Sequence, residues 1–88
     1  MRVLKYSNRF IKDFKRCSKR GYDKAKLDII RDALSYDIPM PPAARPHNLT
    51  GNWAGHTECH IAPDWLLVYK IDDDGITLVA TGTHSDLF

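Results

Sequence analysis

Three of the four histidines of this 88-residue chain fall within nineteen residues, HNLTGNWAGHTECHIAPDW, from His47 to Trp65. The same stretch carries both tryptophans, Glu58, Asp64 and two glycines; the fourth histidine, His84, sits in the closing run TGTHSDLF. Histidine takes or gives a proton near neutral pH without special tuning. Grouped near acids, such residues suit general acid–base chemistry or metal binding. The spacing argues against a metal. Cys59 and His60 are adjacent, so on a strand they face opposite ways, and no CxxC pair exists. No metal site and no cofactor are expected. Cys59 as a nucleophile is equally weak, because its strand parity turns it to the core. His60, Asp64 and His84 remain: two imidazoles and a carboxylate near strand ends that can meet on one face. Spacing alone fits either catalysis or a chance surface grouping.

The elements that must position them read clearly. Val3–Tyr6 is a short strand pattern. Ser7 is a good helix N-cap, and from Asn8 onward Phe10, Phe14, Cys17 and Gly21 recur at helical steps with Ile11 beside them. Arg9, Lys12, Arg16 and Lys19 form a second, cationic stripe on that helix, and Gly21 ends it. Asp23 caps a second helix reaching Tyr36, with Leu27, Ile30 and Leu34 as its seam, widened by Ile29 and Ala33. The two-residue link predicts an antiparallel helix hairpin. Prolines 39, 41, 42 and 46 then impose a loop.

After Gly55 the period becomes two. His56, Glu58 and His60 point one way; Thr57, Cys59 and Ile61 point to the core. A tight Ala62-Pro63-Asp64 connection leads into Trp65–Ile71, apolar on both faces and therefore a central strand. Asp72–Gly75 is a hairpin turn, Ile76–Thr81 the next strand, and Gly82–Phe88 a short tail. The order β-α-α-β-β-β predicts an α+β fold, residues 1–88 as one domain, with the helix hairpin on one face of a largely antiparallel sheet and the other face free to be a site.

Charge adds a partner class. The net charge is only +2, yet residues 1–31 hold eleven of the thirteen Lys and Arg against three acids, and residues 32–88 hold Arg45 and Lys70 against eight. The halves are thus +8 and −6. A basic half fits a nucleic-acid partner or a solvated helix face. No stretch has the length of a signal peptide core or a membrane span. Two cysteines without a secretory signal suggest free thiols in the cytoplasm.

Three motifs carry a family resemblance: H-x-L-x-G at His47, Leu49 and Gly51; E-C-H-I-x-P-D-W-L-L-V-Y from Glu58 to Tyr69; and the terminal T-G-T-H-S-D-L-F ending at Phe88. With them the whole chain, helices included, resembles the YafQ-like branch of the RelE/ParE toxin superfamily, the toxin half of type II toxin–antitoxin pairs. The resemblance implies a RelE-like fold and a metal-independent endoribonuclease that cuts mRNA on the translating ribosome. It implies His47, His60, Asp64, His84 and Phe88 as functional positions, with Trp65 beside them as either a core residue or an RNA contact. It also implies a cognate antitoxin as partner, operator DNA bound only through the antitoxin complex, and no membrane.

The chain departs from the family at Thr57 and Ala80, where similar proteins carry arginines that hold the scissile phosphate; Arg45 and Lys70 are the cations left in that half. The implied chemistry is attack of a ribose 2′-OH on the adjacent phosphorus, with His60 and His84 dividing the proton work, Asp64 orienting or assisting, His47 reaching the phosphate and Phe88 stacking on a base. A gyrase-directed relative of the same fold, or a degenerate toxin that only binds its antitoxin, are the competing readings.

Overall fold

Two short N-terminal devices set the architecture. Ser7 Oγ accepts from the Phe10 N–H (2.9 Å), starting helix α1 (Asn8–Lys19), and donates to the Val79 carbonyl (2.6 Å), tying that helix start to the sheet. Gly21, at φ +85°, reverses the chain, and Asp23 caps α2 (Lys24–Tyr36) through the Ala25 N–H. The computed structural model describes residues 1–88. Strand β1 (Leu4–Tyr6) precedes the helices; β2 (His47–Asn48), β3 (Thr57–Ala62), β4 (Trp65–Asp72) and β5 (Gly75–Gly82) follow, and a four-residue helix α3 (His84–Leu87) ends the chain. No helix is long and apolar enough to cross a membrane.

The sheet order is β1-β5-β4-β3-β2, with β1 parallel to β5 and the other pairs antiparallel. The expected helix hairpin and central strand are present. Trp65–Tyr69 of β4 are all buried. On one face Phe10, Cys17, Leu27, Ile30 and Leu34 of the helices pack against Cys59, Trp65, Leu67, Tyr69, Ile76 and Leu78.

Four details differ from the sequence reading. The segment that follows Pro46 is not unpaired: His47 and Asn48 pair with Glu58 and Thr57, making β2 a fifth strand. The tail after Gly82 forms α3, closed by a reciprocal pair of hydrogen bonds between Thr83 and Asp86. Ile29 is half exposed rather than part of the α2 seam. The second sheet face is not free, because Leu66, Val68 and Ala80 are apolar and need cover. Leu87 of α3, with Leu49 and Trp53 from the segment after β2, supplies it as a small second core. The polar groups stand at the margin of that core.

The edge of β5 beyond β1 is closed by a side-chain pair. Asp13 Oδ2 accepts from the Thr81 N–H (3.1 Å), Arg16 donates to the Thr81 carbonyl (3.2 Å), and Arg16 also bonds Asp13 (3.2 Å). The two side chains complete hydrogen bonds that a neighbouring strand would otherwise make. Arg16, expected on a free cationic stripe, is therefore committed to the fold.

Candidate active site

Register brings the histidines together. His60 on β3 lies opposite Leu66 on β4, which lies opposite Gly82 on β5, two residues before His84. The His60 and His84 rings are 6.0 Å apart between centroids, inclined at 49°. Asp64 occupies the tip of the β3–β4 turn and meets the start of α3. Its Oδ1 accepts from the His84 backbone N–H (3.1 Å) and from His84 Nδ1 (2.7 Å). The acceptor is a carboxylate, so the proton sits on Nδ1 and Nε2 is left as the nitrogen free to exchange protons. The hydrogen bonds from His84, the side-chain one first, hold the Asp64 carboxyl below its ordinary range. His60 is half-buried, and its Nδ1 is buried without a partner.

A second imidazole–carboxylate pair stands beside the first. His47 lies opposite Glu58 across the β2–β3 ladder, with Nε2 3.5 Å from Glu58 Oε1, and its Nδ1 lies 3.2 Å from the Arg45 carbonyl. Glu58 is buried at 4% exposure. It shares a strand face with His60, two residues on. The sequence places Glu58 on that face without marking it as a site residue; the one signal it carries is an acid two residues before His60 on the same strand face.

The remaining expected residues divide. Phe88 is exposed, its ring 6.1 Å from that of Trp53. Arg9 lies over the Trp53 ring at 5.3 Å and pairs with Asp13 at 3.5 Å. Lys12, Lys19, Arg45 and Lys70 are exposed. Trp65 resolves to the core alternative: it is 3% exposed, its indole N–H donates to Thr81 Oγ1 (2.8 Å), and Tyr22 packs edge-on against it, so no face is left to meet RNA. Ala80, where an arginine was noted as missing, is fully buried under the second core. Burial pushes the Cys59 thiol up to about 12, so it is not a thiolate nucleophile near neutral pH.

A helix hairpin backed by this sheet, with histidines and acids along one margin, defines a RelE-like toxin. A family model described as the bacterial toxin of a type II toxin–antitoxin system, YafQ, matches residues 2–88. The chain belongs to the YafQ family. It is 38% identical over 88 residues to the mRNA interferase toxin YafQ of Escherichia coli, covering 99% of this chain and 96% of that one. The crystal structure of E. coli YafQ superposes with a TM-score of 0.92 at 36% identity, covering 100% of this chain and 99% of the other. YafQ in the E. coli DinJ–YafQ toxin–antitoxin complex gives 0.89 at 38% identity, covering 99% and 97%. A metal-bound toxin from Helicobacter pylori gives 0.92 at 37%, covering 100% of both chains. In the present chain no three His, Cys, Asp or Glu side chains converge as metal ligands would.

Proposed function

We propose that this protein is the toxin of a type II pair and cuts mRNA on the ribosome, without a metal, by 2′-OH transesterification. The observation that carries the reading is the Asp64–His84–His60 arrangement: an imidazole oriented by a carboxylate at 2.7 Å, with a second imidazole ring 6.0 Å away. Two such rings can flank one phosphodiester. One takes the proton from the ribose 2′-OH, whose oxygen attacks the phosphorus in line; the other gives a proton to the departing 5′-oxygen. The products are a 2′,3′-cyclic phosphate and a 5′-hydroxyl, and the two rings account for both proton transfers. His47, beside Glu58, is available to the phosphate. Phe88, next to Trp53, is available to stack on a base. The cationic surface of α1 favours a polyanion, and orientation of the mRNA is left to the ribosome. The partner that silences the activity is an antitoxin from an adjacent gene, as the E. coli relative has in DinJ.

Inducing the protein alone and mapping mRNA 5′ ends tests the reading. Growth arrest with translation-dependent cuts inside coding frames is expected. Arrest with intact mRNA would favour a gyrase-type target, and no arrest would favour a toxin that only binds its antitoxin.

A further inference from the structure

His84 is held from two sides, and the second side takes no part in the chemistry above. Helix α3 has four residues, too few to be stable alone. It hangs from Gly82, a residue whose backbone permits many exits. Leu87 anchors one side in the second core. Asp86 anchors the other. Thr83 Oγ1 accepts from the Asp86 N–H (3.1 Å), and Asp86 Oδ2 accepts from the Thr83 N–H (2.9 Å). The same carboxylate receives Arg20, at the C-terminal end of α1, through Nη1 to Oδ2 (2.7 Å) and Nη2 to Oδ1 (3.3 Å), with Arg16 Nη2 at 3.7 Å. A Cβ on Gly82 would lie 2.7 Å from Asp86 Oδ2, so the carboxylate seats only over a glycine.

The two sides differ in shielding. The Arg20 and Asp86 side chains are 38% and 18% exposed, whereas those of Asp64 and His84 are 66% and 57% exposed. An exposed ion pair contributes little to stability by itself. A bidentate arginine–carboxylate pair fixes geometry far better. The hydrogen bonds from Arg20 and from the Thr83 N–H also hold the Asp86 carboxyl well below the usual carboxylate range, so the pair stays charged at any working pH.

We propose that the Arg20–Asp86 pair is the positioning device for His84. By tying the first turn of α3 to the end of α1, it delivers both the His84 backbone N–H and Nδ1 to Asp64 Oδ1 and leaves Nε2 outward. Arg20 and Asp86 are positioning residues; they act through His84. The consequence for cleavage rests on the nuclease reading, whereas the consequence for the ring does not.

The experiment uses the full chain. Imidazole ¹⁵N NMR above the imidazole titration range distinguishes the protonated ring nitrogen of His84 from the bare one. The wild type is expected to show the Nδ1-protonated form. Arg20→Ala and Asp86→Ala are expected to lose it toward the Nε2-protonated form, and Arg20→Lys to recover part of it. In single-turnover cleavage of ribosome-bound mRNA, Arg20→Ala is expected to lower the saturating rate about tenfold or more while half-saturation moves less than about twofold. An Arg20 that merely touched RNA would raise half-saturation and leave the ring form unchanged. That result, or an unchanged ring form in both alanine variants, overturns the proposal. Arg20→Lys keeps the charge and carries the same comparison if an alanine variant fails to fold. A wild type that cuts no mRNA would refute the nuclease reading alone, with the NMR result still deciding the geometry.

Discussion

The two imidazole–carboxylate pairs of this protein are built on opposite principles. At the C-terminal turn, His84 and Asp64 are both exposed and 2.7 Å apart, a formed hydrogen bond. At the sheet edge, Glu58 is buried and His47 exposed, 3.5 Å apart, too long for a good hydrogen bond. The first pair is pre-organised: its carboxylate already selects which nitrogen of the ring carries the proton. The second is a buried carboxyl group facing a ring that has not closed on it. Pre-organised groups reduce a barrier, because their orientation is set before the reaction. A loosely held pair suits an auxiliary contact. The difference predicts unequal consequences when each pair is broken.

The largest effect is expected at His84. His84→Ala removes a proton-transfer partner and should lower single-turnover cleavage by about 10²- to 10⁴-fold. The antitoxin complex should survive, since His84 is exposed and the Leu87 anchor remains. Quantifying cut mRNA and antitoxin binding on the same preparation checks both points. Next comes Asp64→Asn, which keeps the shape but removes the charge that orients the ring; the rate should fall roughly ten- to hundredfold. Equal rates in Asp64→Asn and wild type would remove the distinction between the pairs.

The smallest kinetic effect is expected at the edge. Glu58→Gln should change the rate by less than about fivefold, and thermal unfolding should show stability unchanged or slightly raised, because a buried carboxyl is replaced by an amide of the same size. A loss at Glu58 as large as at His84 would reverse the ranking.

Acid titration sharpens the comparison further. Asp64 and Asp86 both have carboxyls lowered in the fold, Asp64 by His84, Asp86 by Arg20 and the Thr83 N–H. A group lowered in the fold stabilises it above the unfolded-state value, about pH 4 for Asp, and that stability is lost as pH falls through the folded value. Asp86→Asn should therefore flatten the acid limb of the stability profile more than Asp64→Asn does, because the Asp86 network is the more shielded. Thermal midpoints measured from neutral pH down to about pH 3 read this difference.

The helices and the long strands were legible in the sequence because their signals are local. Caps at Ser7 and Asp23 and alternation through Glu58, Cys59 and His60 each depend on near neighbours, and Cys59 is in the core as its parity requires. What was not legible depends on distant partners. Strand β2 is two residues long and exists through its pairing with Glu58 and Thr57. Helix α3 needs Arg20, 66 residues away in sequence, to hold Asp86. Asp13 read as one acid on a basic helix, yet it closes the β5 edge at Thr81. The same limit applied to the site. His60, Asp64 and His84 stood out by residue type, while Glu58 became apparent through its register with His47, and Trp65 was settled by the hydrogen bond from its indole to Thr81.

The central claim is that the ribose 2′-OH attacks the phosphorus, with histidines moving the protons. The chemistry of the cut ends tests it most directly. Ribosome-bound mRNA cut by the purified protein should carry a 2′,3′-cyclic phosphate upstream of the break and a 5′-hydroxyl downstream, identified by mass spectrometry and by ready 5′ phosphorylation with a polynucleotide kinase. Fragments bearing a 3′-hydroxyl and a 5′-phosphate would mean that water, not the ribose oxygen, attacked the phosphorus, and would contradict the account.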